Sequence, residues 1–211
     1  MLSSWREIRL EQLVTLQRGF DITKAEQTAG CYPVISSSGT KSYHGAFKVN
    51  GPGVVIGRKG TLGTVFFSAG DFWPHDTTLW VKEFHGNDPL FCYYFLKTMG
   101  FERYDVGASN PTLNRNHIHG LLVRVPEIGT QRRIASILSA YDDLIENNTR
   151  RIEILEEMAR RLYEEWFVQF RFPGYEGVEF KESELGLIPE GWRLTTVAET
   201  FEILGGHPLK E

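Results

Sequence analysis

Gln131-Arg132-Arg133-Ile134-Ala135-Ser136-Ile137-Leu138 lies near the start of a run that holds no glycine or proline from Thr130 until Pro173-Gly174. Within that run Ile134, Tyr141, Asn148, Leu155 and Leu162 fall seven residues apart. Ile137, Leu144 and Met158 fill the companion seam, and Leu138, Ile145, Ile152, Ala159 and Trp166 widen the apolar stripe. A heptad pattern sustained this long predicts a coiled-coil-forming helix. About 40 residues at the helical rise make a rod of roughly 60 Å. A small domain cannot cover such a stripe, so the helix is expected to need a partner. Asn148, in the seam beside Asn147, is either a polar residue that fixes register or a local weak point. The surrounding charges, Glu153, Glu156, Glu157, Arg160 and Arg161 among them, read first as a solvated face and second as a docking surface.

Upstream the pattern changes to short apolar runs punctuated by glycine. Residues 5–19 alternate between helical and extended readings before Gly19. Cys31 to Ile35, Val54 to Gly57, Thr64 to Phe67, Thr77 to Val81 and Leu121 to Val125 read as strands, with turns at Ser36 to Gly39 and Gly51 to Gly53. Pro89 to Met99 reads as a mostly buried helix opened by its proline. The fold class expected is α+β, a mixed sheet and helix domain followed by the long helix.

Composition places the chain among ordinary soluble proteins: 41% hydrophobic and 24% charged. No apolar run approaches the roughly 20 residues that span a bilayer, and the N-terminus lacks the apolar core of a signal peptide. Cys31 and Cys92 lack CxxC spacing and are expected as reduced thiols in a cytoplasmic protein. The net charge of −4 argues against nucleic acid until it is divided. Residues 1–129 carry 13 Lys and Arg against 11 Asp and Glu, whereas residues 130–211 carry 10 against 16. Gln27 to Gly70 contains no acid and holds Lys41, Lys48, Arg58 and Lys59. A local positive field can attract phosphate although the whole chain is acidic.

Most catalytic readings fail on their own residues. Ser109-Asn110-Pro111-Thr112-Leu113 lacks the second proline and the aromatic of an adenine methyltransferase motif, and no glycine-rich turn for a methyl donor precedes it. Gly57-Arg58-Lys59-Gly60-Thr61-Leu62-Gly63 lacks the Gly-Lys-Ser/Thr ending of a phosphate loop and leads into a strand, so a β-hairpin tip bearing two cations is the better account. His117-x-His119 and His75-Asp76 lack a third ligand at metal-site spacing. No carboxylate pair with a lysine suggests a nuclease, and no Ser-His-Asp set is evident. What remains is polar and loop-borne: Ser38, Lys41 and Tyr43 near the first turn, Arg58, Lys59 and Thr61 at the hairpin tip, and Ser109, Asn110, Asn114 and Arg115 in the later loop. Arg and Lys can bridge guanine acceptors and Asn can be bidentate to adenine, although turns are rich in such residues for local reasons too.

The chain also begins to repeat itself. Trp5-Arg6, Leu10, Leu13, Val14, Leu16 and Gly19 recur at an offset of 187 as Trp192-Arg193, Val197, Thr200, Phe201, Ile203 and Gly206. That period is too long for a solenoid and implies two copies of a whole domain, the second cut off after its first element.

Together these residues resemble a known family. Trp5 to Gly19, Pro33-Val34-Ile35-Ser36 and Gly57 to Gly63 are similar to the first target-recognition domain of a type I restriction-modification specificity subunit. Ser109 to Leu113, Val125-Pro126 and Gln131 to Leu138 resemble the family's path into its conserved helix. Gly186-Leu187-Ile188-Pro189-Glu190-Gly191-Trp192 resembles the junction where a second recognition domain begins. The resemblance implies a DNA target-recognition domain over 1–128, the conserved helix over 129–172, and a linker with the start of a second domain over 173–211. It implies a non-catalytic subunit that binds double-stranded DNA and carries no cofactor of its own. Methyltransferase subunits would dock on the helix and modify adenine with S-adenosylmethionine, and restriction subunits would add ATP- and Mg-dependent translocation and cleavage. The helix interface expected is Ile134, Ile137, Tyr141, Leu144, Asn148, Leu155, Met158 and Leu162. The length departs from the family, so a half-subunit that forms a homodimer and a truncated, inactive specificity subunit both stay open. A recognition module of a fused restriction-methylation enzyme, or a coiled-coil protein whose head binds protein, are the readings from other classes.

Overall fold

Contacts divide the chain into two units, Met1–Asp143 and Leu144–Glu211, with the division falling inside the long helix. The structure is a computed structural model and describes residues 5–105 and 112–202. Ser109, Asn110, Ile203 and Gly206 lie outside the described residues.

The first unit opens with β1 (Arg6–Arg9), α1 (Leu10–Leu13) and β2 (Thr15–Arg18). The two readings of residues 5–19 are thus both realised, one after the other. There follow β3 (Tyr32–Ser36), β4 (Gly39–His44), β5 (Gly53–Gly57), β6 (Val65–Ser68), β7 (Trp73–Pro74) and β8 (Thr78–Glu83). An antiparallel sheet of order β2-β8-β5-β6 faces a smaller sheet of order β4-β3-β7, in which β3 and β7 run parallel. Every residue of β5 is buried. The pleat explains why: Val54 and Ile56 enter one core with Leu79 and Val81, while Val55 enters another with Ile35, Phe72 and Trp80. A strand covered on both faces reads as an unbroken apolar run.

On the first of those faces lies α2 (Pro89–Lys97), whose Asp88 side chain caps the helix by accepting from Phe91 N at 2.9 Å. Phe91, Cys92 and Leu96 are its buried residues. Cys31 is exposed and Cys92 buried, and both are free thiols. A short α3 (Arg115–His119), capped by Asn114, replaces part of what the sequence presents as loop. Then β9 (Leu122–Val125) pairs antiparallel with β1, Arg6 opposite Val125, so the start of the chain and the strand before the long helix are held together.

The long helix α4 (Ile128–Tyr163) is followed by a wider π turn over Glu164–Val168. Only Gln131 and Ala135 of α4 are buried, and Ile134 packs partly against the first unit's core. The uncovered stripe therefore begins at Ile137 rather than at Ile134: Ile137, Tyr141, Leu144, Leu155, Met158 and Leu162 are all exposed.

In the second unit an aromatic group forms around Trp192, with Phe170 edge-on at 5.3 Å and Phe172 stacked at 6.4 Å between ring centroids. A hairpin of β10 (Phe180–Ser183) and β11 (Gly186–Pro189), unanticipated from sequence, turns at Gly186 with φ 100°. Last comes α5 (Val197–Thr200). It stands at the same 187-residue offset from α1, end for end. Arg9 N donates to Gln12 Oε1 at 2.8 Å in the first, and Thr196 N donates to Glu199 Oε2 at 3.0 Å in the second. Val14 N closes on Leu10 O at 2.9 Å, and Phe201 N on Val197 O at 2.8 Å. The burial differs: Leu10 and Leu13 are fully buried, whereas Val197 is 62% and Phe201 66% exposed.

Candidate nucleic-acid interface

The loop joining β5 to β6 is built for a tight reversal. Gly60 and Gly63 take φ of 76° and 74°, a region that favours glycine. Gly57 N donates to Thr64 O at 2.8 Å and Gly63 N to Gly57 O at 3.1 Å. A side-chain bond ties this loop to the β3–β4 turn, Thr64 Oγ1 donating to Ser37 O at 2.7 Å, and Thr77, just before β8, joins both, its Oγ1 accepting from Ser37 N at 3.3 Å and its carbonyl from Arg58 N at 2.9 Å. On its other side Leu113 N donates to Arg58 O at 2.9 Å, and Lys59 bridges to Thr112. The turn bearing Ser38, the loop bearing Arg58, Lys59 and Thr61, and the segment bearing Asn114 and Arg115 are thereby brought side by side. Lys41 and Tyr43 lie further along β4, Lys41 at a shift in the register with β3, and both are exposed.

The two cations of the hairpin tip differ in disposition. Lys59 is exposed, whereas Arg58 is drawn back, its Nη1 donating to the Asp76 carbonyl at 3.3 Å. Burial, with Arg18 nearby, pushes Arg58 below the ordinary arginine value, yet a guanidinium stays charged. Asp76 forms the centre of this group. Its carboxylate meets Arg18 Nη2 at 3.1 Å and His75 Nδ1 at 2.9 Å. Burial would raise its pKa, but His75 and Arg18 outweigh that and hold it below the usual carboxylate range.

Beside this group is a cleft of about 320 Å³ lined by Arg18, Arg58, Asn114, Arg115 and Asn116, with Leu79 and Leu113 among its apolar walls. Asn114 spends its side-chain oxygen on capping α3, accepting from Asn116 N at 3.0 Å. Arg18 did not stand out in the sequence. Its partner Asp76 lies 58 residues away, and only the pairing of β2 with β8 brings them together. Of the histidines, His75 pairs with Asp76, and His119 Nε2 accepts from Leu16 N at 3.1 Å. Among the described residues no group of His, Cys, Asp and Glu could hold a metal ion, and no helix is long and apolar enough to cross a membrane. Charged forks and amides around an open cleft suit hydrogen bonding to a ligand rich in acceptors.

The type I restriction-modification specificity subunit MjaIX of Methanocaldococcus jannaschii is 30% identical over 120 residues, 55% of this chain and 28% of the relative. The EcoprrI specificity subunit of Escherichia coli is 26% identical over 141 residues, 66% of this chain and 35% of the relative. The type I restriction-modification S subunit of M. genitalium shares the fold, with a TM-score of 0.70 at 17% identity over 87% of this chain and 55% of that one. The chain thus spans little more than half of that solved structure and about a third or less of those curated relatives. The profile described as type I restriction modification DNA specificity domain matches residues 3–157, and the chain belongs to that family.

Proposed function

We propose that this chain selects DNA for a type I restriction-modification complex. The unit Met1–Asp143 reads one element of a duplex target, and partner subunits methylate adenine and restrict DNA at the sites so chosen. The chain supplies no catalytic group and holds no cofactor; S-adenosylmethionine, ATP and Mg act in the partners. The observation that carries this reading is the cleft in which Arg18, Arg58 and Arg115 meet Asn114 and Asn116. The acid-free stretch from Gln27 to Gly70 adds a positive field around it. Ser38, Lys41, Tyr43, Lys59 and Thr61 extend the contact surface.

The bare stripe of α4 supports the assembly part of the reading, because a contiguous apolar face of this extent marks an interaction site. Its occupants are the same helix of a second copy, paired antiparallel with Asn148 fixing register, and the methyltransferase subunits. A homodimer would present two reading units about a two-fold axis and select a palindromic split site. The domains follow as 1–128 for recognition, 129–172 for the helix, and 173–211 for a linker and the opening of a second recognition domain. The repetition of α1 by α5 supports the last of these.

The test is binding of the full chain, assembled with its methyltransferase subunits, to duplex DNA across a salt series. Lys59→Ala and Arg58→Ala should each weaken binding, and Lys59→Ala, which removes a phosphate contact, should lower the logarithmic salt slope by about 0.9. Binding without salt dependence, or unchanged by both substitutions, would refute the assignment.

A further inference from the structure

We infer that Arg18, held by Asp76, is a specificity-determining residue that reads the acceptor edge of a guanine in the major groove. The inference rests on the DNA-selecting function above and assigns a role within it.

Three observations distinguish Arg18 from the other cations of the surface. Its backbone is fixed. Arg18 ends β2 opposite Leu79, its carbonyl accepts from Trp80 Nε1 at 3.3 Å, and the next residue's N–H donates to Thr78 O at 3.0 Å. Its side chain is fixed as well. Nη2 lies 3.1 Å from Asp76 Oδ2 and 3.7 Å from Asp21 Oδ2, while Asp76 is itself held on its other oxygen by His75 at 2.9 Å. A fork is nevertheless available: the Arg18 side chain is 49% exposed against 18% for Asp76, Nε and Nη1 have no partner among the described residues, and Asp76 takes one of the two N–H of Nη2, leaving the other to complete a fork with one of them.

Charge decides which part of DNA such a fork meets. Arg18 and Arg58 are balanced by Asp76 and Asp21, so the group is close to neutral. A phosphate there would gain little from the arginines and would crowd two carboxylates. Guanine O6 and N7 are uncharged acceptors that pair with a guanidinium fork without that penalty, and a carboxylate at the same place can accept from the cytosine amino group. Lys41, Lys59 and Arg115 have no acid partner among the described residues, so the phosphate contacts fall to them. A guanidinium immobilised before binding also has less side-chain freedom to lose when it meets its base.

The experiment uses the full chain with its methyltransferase subunits, scoring both the sequence selected from randomised duplex DNA and the salt slope. Arg18→Ala should relax one G·C position by about 5- to 150-fold and leave the others and the salt slope in place. Arg18→Lys, which keeps the charge and loses the fork, should relax the same position. Asp76→Asn should blur it by releasing the fork. A uniform loss with a shallower slope would make Arg18 a phosphate contact and overturn the inference. So would an unchanged motif, or a wild-type motif with no G·C pair. Failure of the wild-type complex to bind DNA would sink the proposed function itself, an outcome distinct from a wild-type motif that survives in the variants.

Discussion

Gln131 Nε2 donates to Asn87 Oδ1 at 2.9 Å, and both side chains are buried. The same Gln131 nitrogen donates to Pro126 O at 3.0 Å, and its oxygen accepts from Asp88 N at 3.0 Å. Asn87 in turn donates to Leu13 O at 3.1 Å and Phe84 O at 2.8 Å. One amide pair therefore links α1, the turn before α2 and the first turn of α4. Among the described residues every buried side-chain polar atom has a partner, so removing either amide leaves others stranded.

Gln131→Leu should accordingly destabilise the first unit by about 1–3 kcal/mol, the cost of leaving buried groups unpaired. Chemical denaturation of the full chain would measure it. An unchanged midpoint and slope would show that the latch does not hold α4.

Leu155→Glu combined with Leu162→Glu should abolish self-association and methyltransferase docking while leaving the first unit's melting temperature in place. Both positions are exposed and neither belongs to the first unit's core, so the substitutions leave that core intact. Sedimentation of the variant, alone and mixed with methyltransferase subunits, decides the matter. Assemblies that persist would contradict the role of the stripe.

His119 makes stability depend on pH. Burial chiefly holds its pKa below the ordinary value, with Arg115 in the same sense and Glu11 opposed. The bond from Leu16 N needs an unprotonated Nε2. Because the folded pKa is depressed, the contribution is complete above the unfolded value of about 6.5 and is lost as pH falls through the folded pKa. His119→Gln, which can accept but not titrate, should narrow the difference in melting temperature between pH 8 and pH 5. An identical difference in both proteins would remove His119 from the account.

Much of this architecture was legible because it is periodic or punctuated. The runs at Val54 and Thr77 are strands because the pleat buries both faces, and Asp88-Pro89 marks the start of α2 by a cap and a fixed φ. The heptads announced α4, but the pattern does not reveal that Ile134 turns to the domain while Ile137 does not; that depends on what packs beside it. Helix α3 was missed because five residues with one buried side chain, Ile118, are too few to show a period. Its local signal was Asn114 as cap with Gly120 at the close. The same shortness left α1 as one of two readings of residues 5–19 and hides α5, which becomes visible only when compared with α1 across 187 residues. Within the candidate site, Arg58, Asn114 and Arg115 could be picked out as loop residues. Arg18 could not, since its meaning comes from Asp76 across the sheet.

The most direct measurement is adenine-methylation mapping in cells that express this chain with type I methyltransferase subunits. New methylation at a defined split motif, palindromic if two copies pair through α4, is the result expected. Methyltransferase that copurifies with the chain yet methylates no new site would contradict the claim that this chain selects the DNA.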